Sequence, residues 1–193
     1  MRGKLITVVL GFCAILLTAS ACRTAPKLRK QEQFMASAQE TVAWFETNVN
    51  GLKQQIDKSA GYIIFPNVKQ FGMMFGGGTF GRGALCRPDG TQLGWAAINR
   101  ASLGLQAGVQ GFRMLILFEN EDVLTKFRSN KLTGSMAGQL VVVKAGGSGA
   151  AIFKNGVAVY QGANKGLMAG VSVGFDYIRH HAMETGEEQG DTR

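Results

Sequence analysis

From Gly61 onward the chain is a succession of short apolar runs punctuated by glycine, and this texture admits few folds. The runs cover residues 62–65, 70–75, 79–86, 93–98, 102–109, 112–118, 140–144, 150–153, 157–160 and 167–177. Each has the length of a strand, and the residues between them favour turns. Arg87-Pro88-Asp89-Gly90 and Lys154-Asn155-Gly156 carry hairpin chemistry, in which Asn, Asp and Gly tolerate positive φ. The pattern predicts a glycine-rich, strongly curved antiparallel β-sheet or barrel within an α+β chain. Gly104, Gly108 and Gly111, and again Gly166, Gly170 and Gly174, recur at spacings that clear part of a strand surface for curvature or close backbone approach. A membrane-helix reading of the first set fails, because Arg100 and Arg113 enclose only 12 residues and a span needs about 20.

Ahead of this region, Phe34, Ala38, Val42, Phe45, Val49, Leu52 and Ile56 recur in steps of three and four. That spacing places them on one helical face. Asn48 and Asn50-Gly51 interrupt the run, so two helices are expected, about 33–47 and 52–58. The stripe either packs on the domain's own core or lies partly on a bilayer, with Trp44 and Phe45 at the headgroups. A further helix interrupts the strands: Asn120 caps it, Glu121 and Asp122 suit its positive end, and Val123, Leu124 and Phe127 form its apolar face.

The first thirty residues address location. Arg2 and Lys4 precede an uncharged stretch from Leu5 to Cys22 that ends in Thr18-Ala19-Ser20-Ala21. Early cations, a short apolar core and small residues at its end form a secretory signal. Ala19-Ser20-Ala21 satisfies the small-x-small rule of an ordinary signal peptidase. The same residues with Cys22 are similar to the lipobox of bacterial lipoproteins, where the cysteine is acylated and becomes the mature N-terminus. Ala19 stands where that motif usually has Leu. Residues 22–32 then form a basic tether, to which acyl chains add about 0.8 kcal/mol per buried methylene and each cation about 1 kcal/mol at most. Arg23 after the cysteine implies, through the lipoprotein resemblance, passage to an outer membrane with the domain facing the periplasm or the surface.

Cysteine usage is consistent with this division. Cys13 leaves with the signal, Cys22 takes lipid, and Cys86 remains as a buried small hydrophobe. Without acylation, a Cys22–Cys86 bridge or an intermolecular pair would become available.

Once Arg2 and Lys4 are removed, 19 cations face 13 carboxylates, and four of those carboxylates (Glu184, Glu187, Glu188, Asp191) lie in the last ten residues. The body from Cys22 to Met183 carries 18 cations and nine anions. Such a body is attracted to polyanions. Export argues against nucleic acid and leaves anionic lipid headgroups. The acidic tail, 184–193, lacks apolar residues and is expected to be disordered.

No catalytic constellation assembles. Gly76-Gly77-Gly78-Thr79-Phe80-Gly81 has the Gly-x-Gly-x-x-Gly spacing of dinucleotide sites, but no helical register follows to meet a phosphate. Ser148 sits in a loose copy of a nucleophile elbow, with Ala150 at its second glycine. His180 and His181 are adjacent, diverge on any regular element, and read as solvated residues ending the last strand. Asp176 lies in an apolar run without a partner. The chain is therefore expected to be no enzyme and to need neither metal nor cofactor.

The order of these motifs resembles the SYLF domain. Ser59-Ala60-Gly61-Tyr62-Ile63-Ile64-Phe65-Pro66-Asn67-Val68, the glycine run 72–83, Trp95-Ala96-Ala97-Ile98, residues 103–111 and Leu115-Ile116-Leu117-Phe118-Glu119-Asn120 carry the likeness. Tyr160-Gln161-Gly162-Ala163-Asn164-Lys165-Gly166-Leu167-Met168-Ala169-Gly170-Val171 closes it, so it covers about 35–178. The resemblance implies a lipid-binding domain over 33–183, preceded by a signal at 1–21. It implies membrane contact through the basic N-terminal part, hence Lys53 and Lys58, with Arg82 and Lys165 as additions. Actin, a partner of some fungal members, is not expected in this compartment. A structural or adhesive protein binding another envelope or host protein is the alternative.

Overall fold

The computed structural model describes residues 28–73, 76–103, 108–132, 139–143, 153–163 and 178–183. Cys22, Ser148, Lys165, Asp176 and the tail 184–193 lie outside the described residues. Two helices, α1 (Leu28–Asn48) and α2 (Leu52–Lys58), come first. Strands β1 (Gly61–Met73), β2 (Gly76–Cys86), β3 (Gln92–Leu103) and β4 (Gly108–Phe118) follow, then α3 (Glu121–Arg128) and strands β5 (Gln139–Val143), β6 (Val157–Ala163) and β7 (Ile178–Ala182).

The helices form for the reasons the spacing gives. Ala38, Phe45, Val49, Leu52 and Ile56 are buried, with Phe34 and Val42 half-buried beside them. Phe45 is fully inaccessible, so the bilayer alternative for this stripe does not hold there: the apolar face is consumed by the chain's own sheet. Gly51, at φ 76°, turns the chain between α1 and α2, a conformation that costs glycine little. Ser59 ends α2 by donating its backbone N–H and its hydroxyl to the Ile56 carbonyl. At α3 the Asn120 side chain accepts the Val123 N–H at 3.1 Å, the expected cap.

The strands make one mixed sheet in the order β5-β6-β4-β1-β2-β3-β7. Six of them, β6 through β7, pair antiparallel. Two expectations need correction. Strand β5 pairs parallel with β6. Among the described residues the sheet is also open, with β5 and β7 at its edges, so these strands do not close a barrel. The expected strand over 102–109 is divided as well, since its ends belong to β3 and β4. The Gly-x-Gly-x-x-Gly sequence lies inside β2, not between a strand and a helix.

Each face of the sheet has its own core. Ile63, Phe65, Val68, Leu85, Ile98, Phe112, Met114, Ile116, Val159 and Ile178 point to one side and pack with Val123, Leu124 and Phe127 of α3. Tyr62, Ile64, Ala84, Cys86, Trp95, Leu115, Leu117 and Tyr160 point to the other, beneath α1 and α2. A bulge in β1 between Ile64 and Asn67 shifts its register against both neighbours. Beyond it Val68 returns to the α3 side, which leaves Asn67, Lys69 and Phe71 on the α1 side by alternation.

Helix α1 runs across the strands, not along them. Phe34 meets the Trp95 ring of β3 at 5.3 Å. Met35, Ala38 and Val42 share a cleft with Tyr62, Ile64 and Cys86. Farther along, Trp44 covers Gly162 of β6, where a Cβ would lie 2.4 Å from its ring. No helix among the described residues is long and apolar enough to cross a membrane.

Candidate functional site

Charge on the sheet is one-sided. The seven strands contain no Asp or Glu, and their cations are Lys69, Arg82, Arg100, Arg113 and Arg179. Alternation sorts them. Arg82 is in phase with Ala84 and Cys86 on the α1 side, and Arg113 with Leu115 and Leu117. Arg179 lies between Ile178, buried on the α3 side, and His180, which faces Phe127 of α3. Four of the five strand cations therefore share the α1 side, and only Arg100 is out of phase with them.

Register aligns three of these in one lateral row. Ala97 is the partner of both Arg82 and Arg179, and Arg82 is also the partner of Asn67. The β1 bulge falls opposite the stretch of β4 between Met114 and Phe112, which is Arg113, and Arg113 faces Gly162. The row reads Arg179, Ala97, Arg82, Asn67, Arg113, Gly162, with successive arginines about 10 Å apart across two strand spacings. The next row toward the β1–β2 turn is Asn99, Phe80, Lys69 and Gly111, and the one after contains Gly78, Phe71 and Val109.

This part of the face is outside the cover of α1. Arg82, Arg179, Lys69, Asn67 and Asn99 are exposed and Arg113 is half-buried. The Arg113 guanidinium carbon sits 4.9 Å from the centre of the Trp44 ring, which fixes it at the border of the helix. Phe80 is 46% and Val109 79% exposed, and with Met183 they are the exposed large apolar residues among those described. Phe71 packs at 6.0 Å from Phe80, centre to centre.

The predicted lysines lie elsewhere. Lys53 and Lys58 are exposed on α2, which enters β1 at Gly61. About 20 Å of strand, from Gly61 to Asn67, separates them from the arginine row, and α1 crosses the interval. Lys53 is engaged with Asp57, Nζ to both carboxylate oxygens at 3.1 Å. Of the predicted cations among the described residues, Arg82 alone joins the basic row. Lys69, Arg113 and Arg179 were missed, although the sequence carries a signal for them: between Asp57 and Glu119 the one carboxylate is Asp89, and between Asp122 and Asp176 there is none.

Titration is shifted at Cys86, Tyr62, Asp89 and His180. Cys86 is free and buried, and burial first of all pushes its thiol up to about 11. Burial and then the neighbouring Cys86 raise the Tyr62 phenol. Both shifts favour the neutral forms of the two groups in the cleft under α1. Asp89 is held low by the Thr91 backbone N–H, which donates to its carboxylate at 2.8 Å and closes the β2–β3 turn. His181 is exposed, as expected of a strand end, but His180 is not simply solvated. Its ring lies 6.0 Å from Phe127, its Nε2 is buried without a hydrogen-bond partner, and burial lowers its pKa. Asn130 brackets its backbone, accepting the His180 N–H at 2.8 Å and donating to its carbonyl at 3.2 Å. The pair ties the end of α3 to β7. Among the described residues no three His, Cys, Asp or Glu side chains gather as a metal site. Neither a protein-family model nor a curated protein matches the chain.

Proposed function

We propose that this chain is an exported bacterial lipoprotein, anchored through acylated Cys22 at the outer membrane and facing the periplasm, whose SYLF-like domain binds anionic lipid surfaces. The observation that carries this reading is the sheet without carboxylates: five cations and no anion on seven strands. A surface of one sign attracts polyanions, and each cation near an anionic bilayer adds about 1 kcal/mol. The proposal assigns no catalytic role. It includes strong curvature of the sheet, supported by the reach of α3. Phe127 stacks on Phe118 of β4 at 5.2 Å and meets His180 of β7 at 6.0 Å, so those two rings are no more than about 11 Å apart. In a flat sheet, four strand spacings would separate them by about 19 Å.

The test uses the protein as exported. The mature chain taken from membranes carries diacylglycerol and a fatty acid on residue 22, read from its intact mass, while Cys22→Ser abolishes the addition. That unacylated Cys22→Ser chain then pellets with vesicles containing phosphatidylglycerol and not with phosphatidylcholine alone. Equal pelleting with both, or with neither, overturns the lipid reading, and an unmodified Cys22 overturns the anchor.

A further inference from the structure

Among the described residues, two halves of the α1-side face differ in what covers them, and the half that no described helix covers has the chemistry of a bilayer surface. We propose that this half docks on anionic phospholipid, with Arg82, Arg113, Arg179 and Lys69 meeting headgroup phosphates while Phe71, Phe80 and Val109 enter the acyl boundary. The inference rests on the lipid-binding reading and names the surface that performs it, which is not the α2 lysines.

Three independent features converge there. The first is charge complementarity: the four cations lie on one face of a sheet whose described strands contain no carboxylate. A planar guanidinium donates two parallel N–H groups to a phosphate, so a row of arginines suits headgroups better than a row of lysines. The second is apolar exposure. Phe80 and Val109 are exposed at 46% and 79%, and they stand beside the cations on the same face. The third is order. Same-face rows are about 7 Å apart along a strand, so Phe71 and Val109 lie about 13 Å beyond the arginines. A sheet tilted with that end down places apolar side chains below the phosphates and cations level with them, the arrangement of interfacial membrane elements. The α2 lysines are separated from this row by about 20 Å of strand, which α1 crosses.

The experiment compares variants of the unacylated Cys22→Ser chain on phosphatidylglycerol vesicles, each variant checked by circular dichroism. Lys69→Gln, Arg82→Gln and Arg179→Gln combined lower binding on the order of 100-fold, at roughly fivefold per cation. Phe80→Thr lowers it without changing its dependence on anionic lipid, and Lys53→Gln with Lys58→Gln leaves it unchanged. If the triple variant does not fold, Arg179→Glu alone on edge strand β7 lowers binding at least tenfold. Undiminished binding by the folded sheet variants, or a loss confined to the α2 variant, overturns the assignment while the lipid reading stands. A parent chain indifferent to anionic lipid overturns the reading itself.

Discussion

Along β1 to β4 the same strands, with the same alternation, produce two unlike surfaces on one side of the sheet. Beneath α1, Ile64, Ala84, Trp95 and Leu115 are each at most 1% exposed. One row further on, the same alternation presents Arg82, Arg113 and Arg179, and then the half-open ring of Phe80. The difference comes from dimensions. A strand of 13 residues such as β1 extends about 40 Å, whereas a helix lying across it covers about 10–12 Å of that length. With α2 at the Gly61 end, roughly half of the face has no helix over it among the described residues. Alternation decides which residues share a face; the width of the helix decides where on that face the core stops.

The largest effect expected from this division is in the covered half. Phe45 is fully buried under α1, and Phe45→Ala removes its contacts and leaves a cavity. A loss of about 3–5 kcal/mol in chemical denaturation is expected. A loss below about 1 kcal/mol would mean that α1 is a loosely attached cover, and the two halves would no longer differ in kind. A smaller effect marks the border. At Gly162 a Cβ would press within 2.4 Å of the Trp44 ring, so Gly162→Ala overpacks the end of α1 and costs about 1–3 kcal/mol. Because Trp44 also supports Arg113, the indole fluorescence of this variant shifts as the ring moves. No shift and no loss would place Trp44 outside the interface.

Much of the covered half is legible in the sequence, and much of the bare half is not. The 3-4 spacing from Phe34 to Ile56 names the buried face of α1 and α2, because helical periodicity is local. Asn120 before Glu121 and Asp122 names the cap of α3 for the same reason. The strands are legible as apolar runs, yet their partners are not. That β5 pairs parallel with β6 depends on a crossover, and that β3 rather than a further hairpin receives β7 depends on contacts distant in sequence. The basic row depends on this distant information. Arg82, Arg113 and Arg179 are scattered over almost a hundred positions, and four separate pairings bring them together. The bulge at Pro66 and Asn67 adds a shift that strict alternation would miss, since it decides that Lys69 shares their side. Lys53 and Lys58, which the resemblance singles out, share one short helix and lie about 20 Å of strand away from this row.

The smallest effect concerns stability in the bare half, and it sharpens the comparison most. If those side chains serve the fold, their removal destabilises it; if they serve a surface, the fold does not register the change. Lys69 is exposed, and Phe80 keeps nearly half of its surface in water. Threonine, which is β-branched, keeps a high strand preference at position 80. Lys69→Gln with Phe80→Thr is therefore expected to change unfolding free energy by no more than about 0.5 kcal/mol. Thermal melts of the pair beside Phe45→Ala measure this directly. A loss of 2 kcal/mol or more, on the scale of a core truncation, would show that Phe71 and Phe80 form a satellite core. In that case the apolar residues beyond the arginine row would belong to the fold rather than to a docking surface.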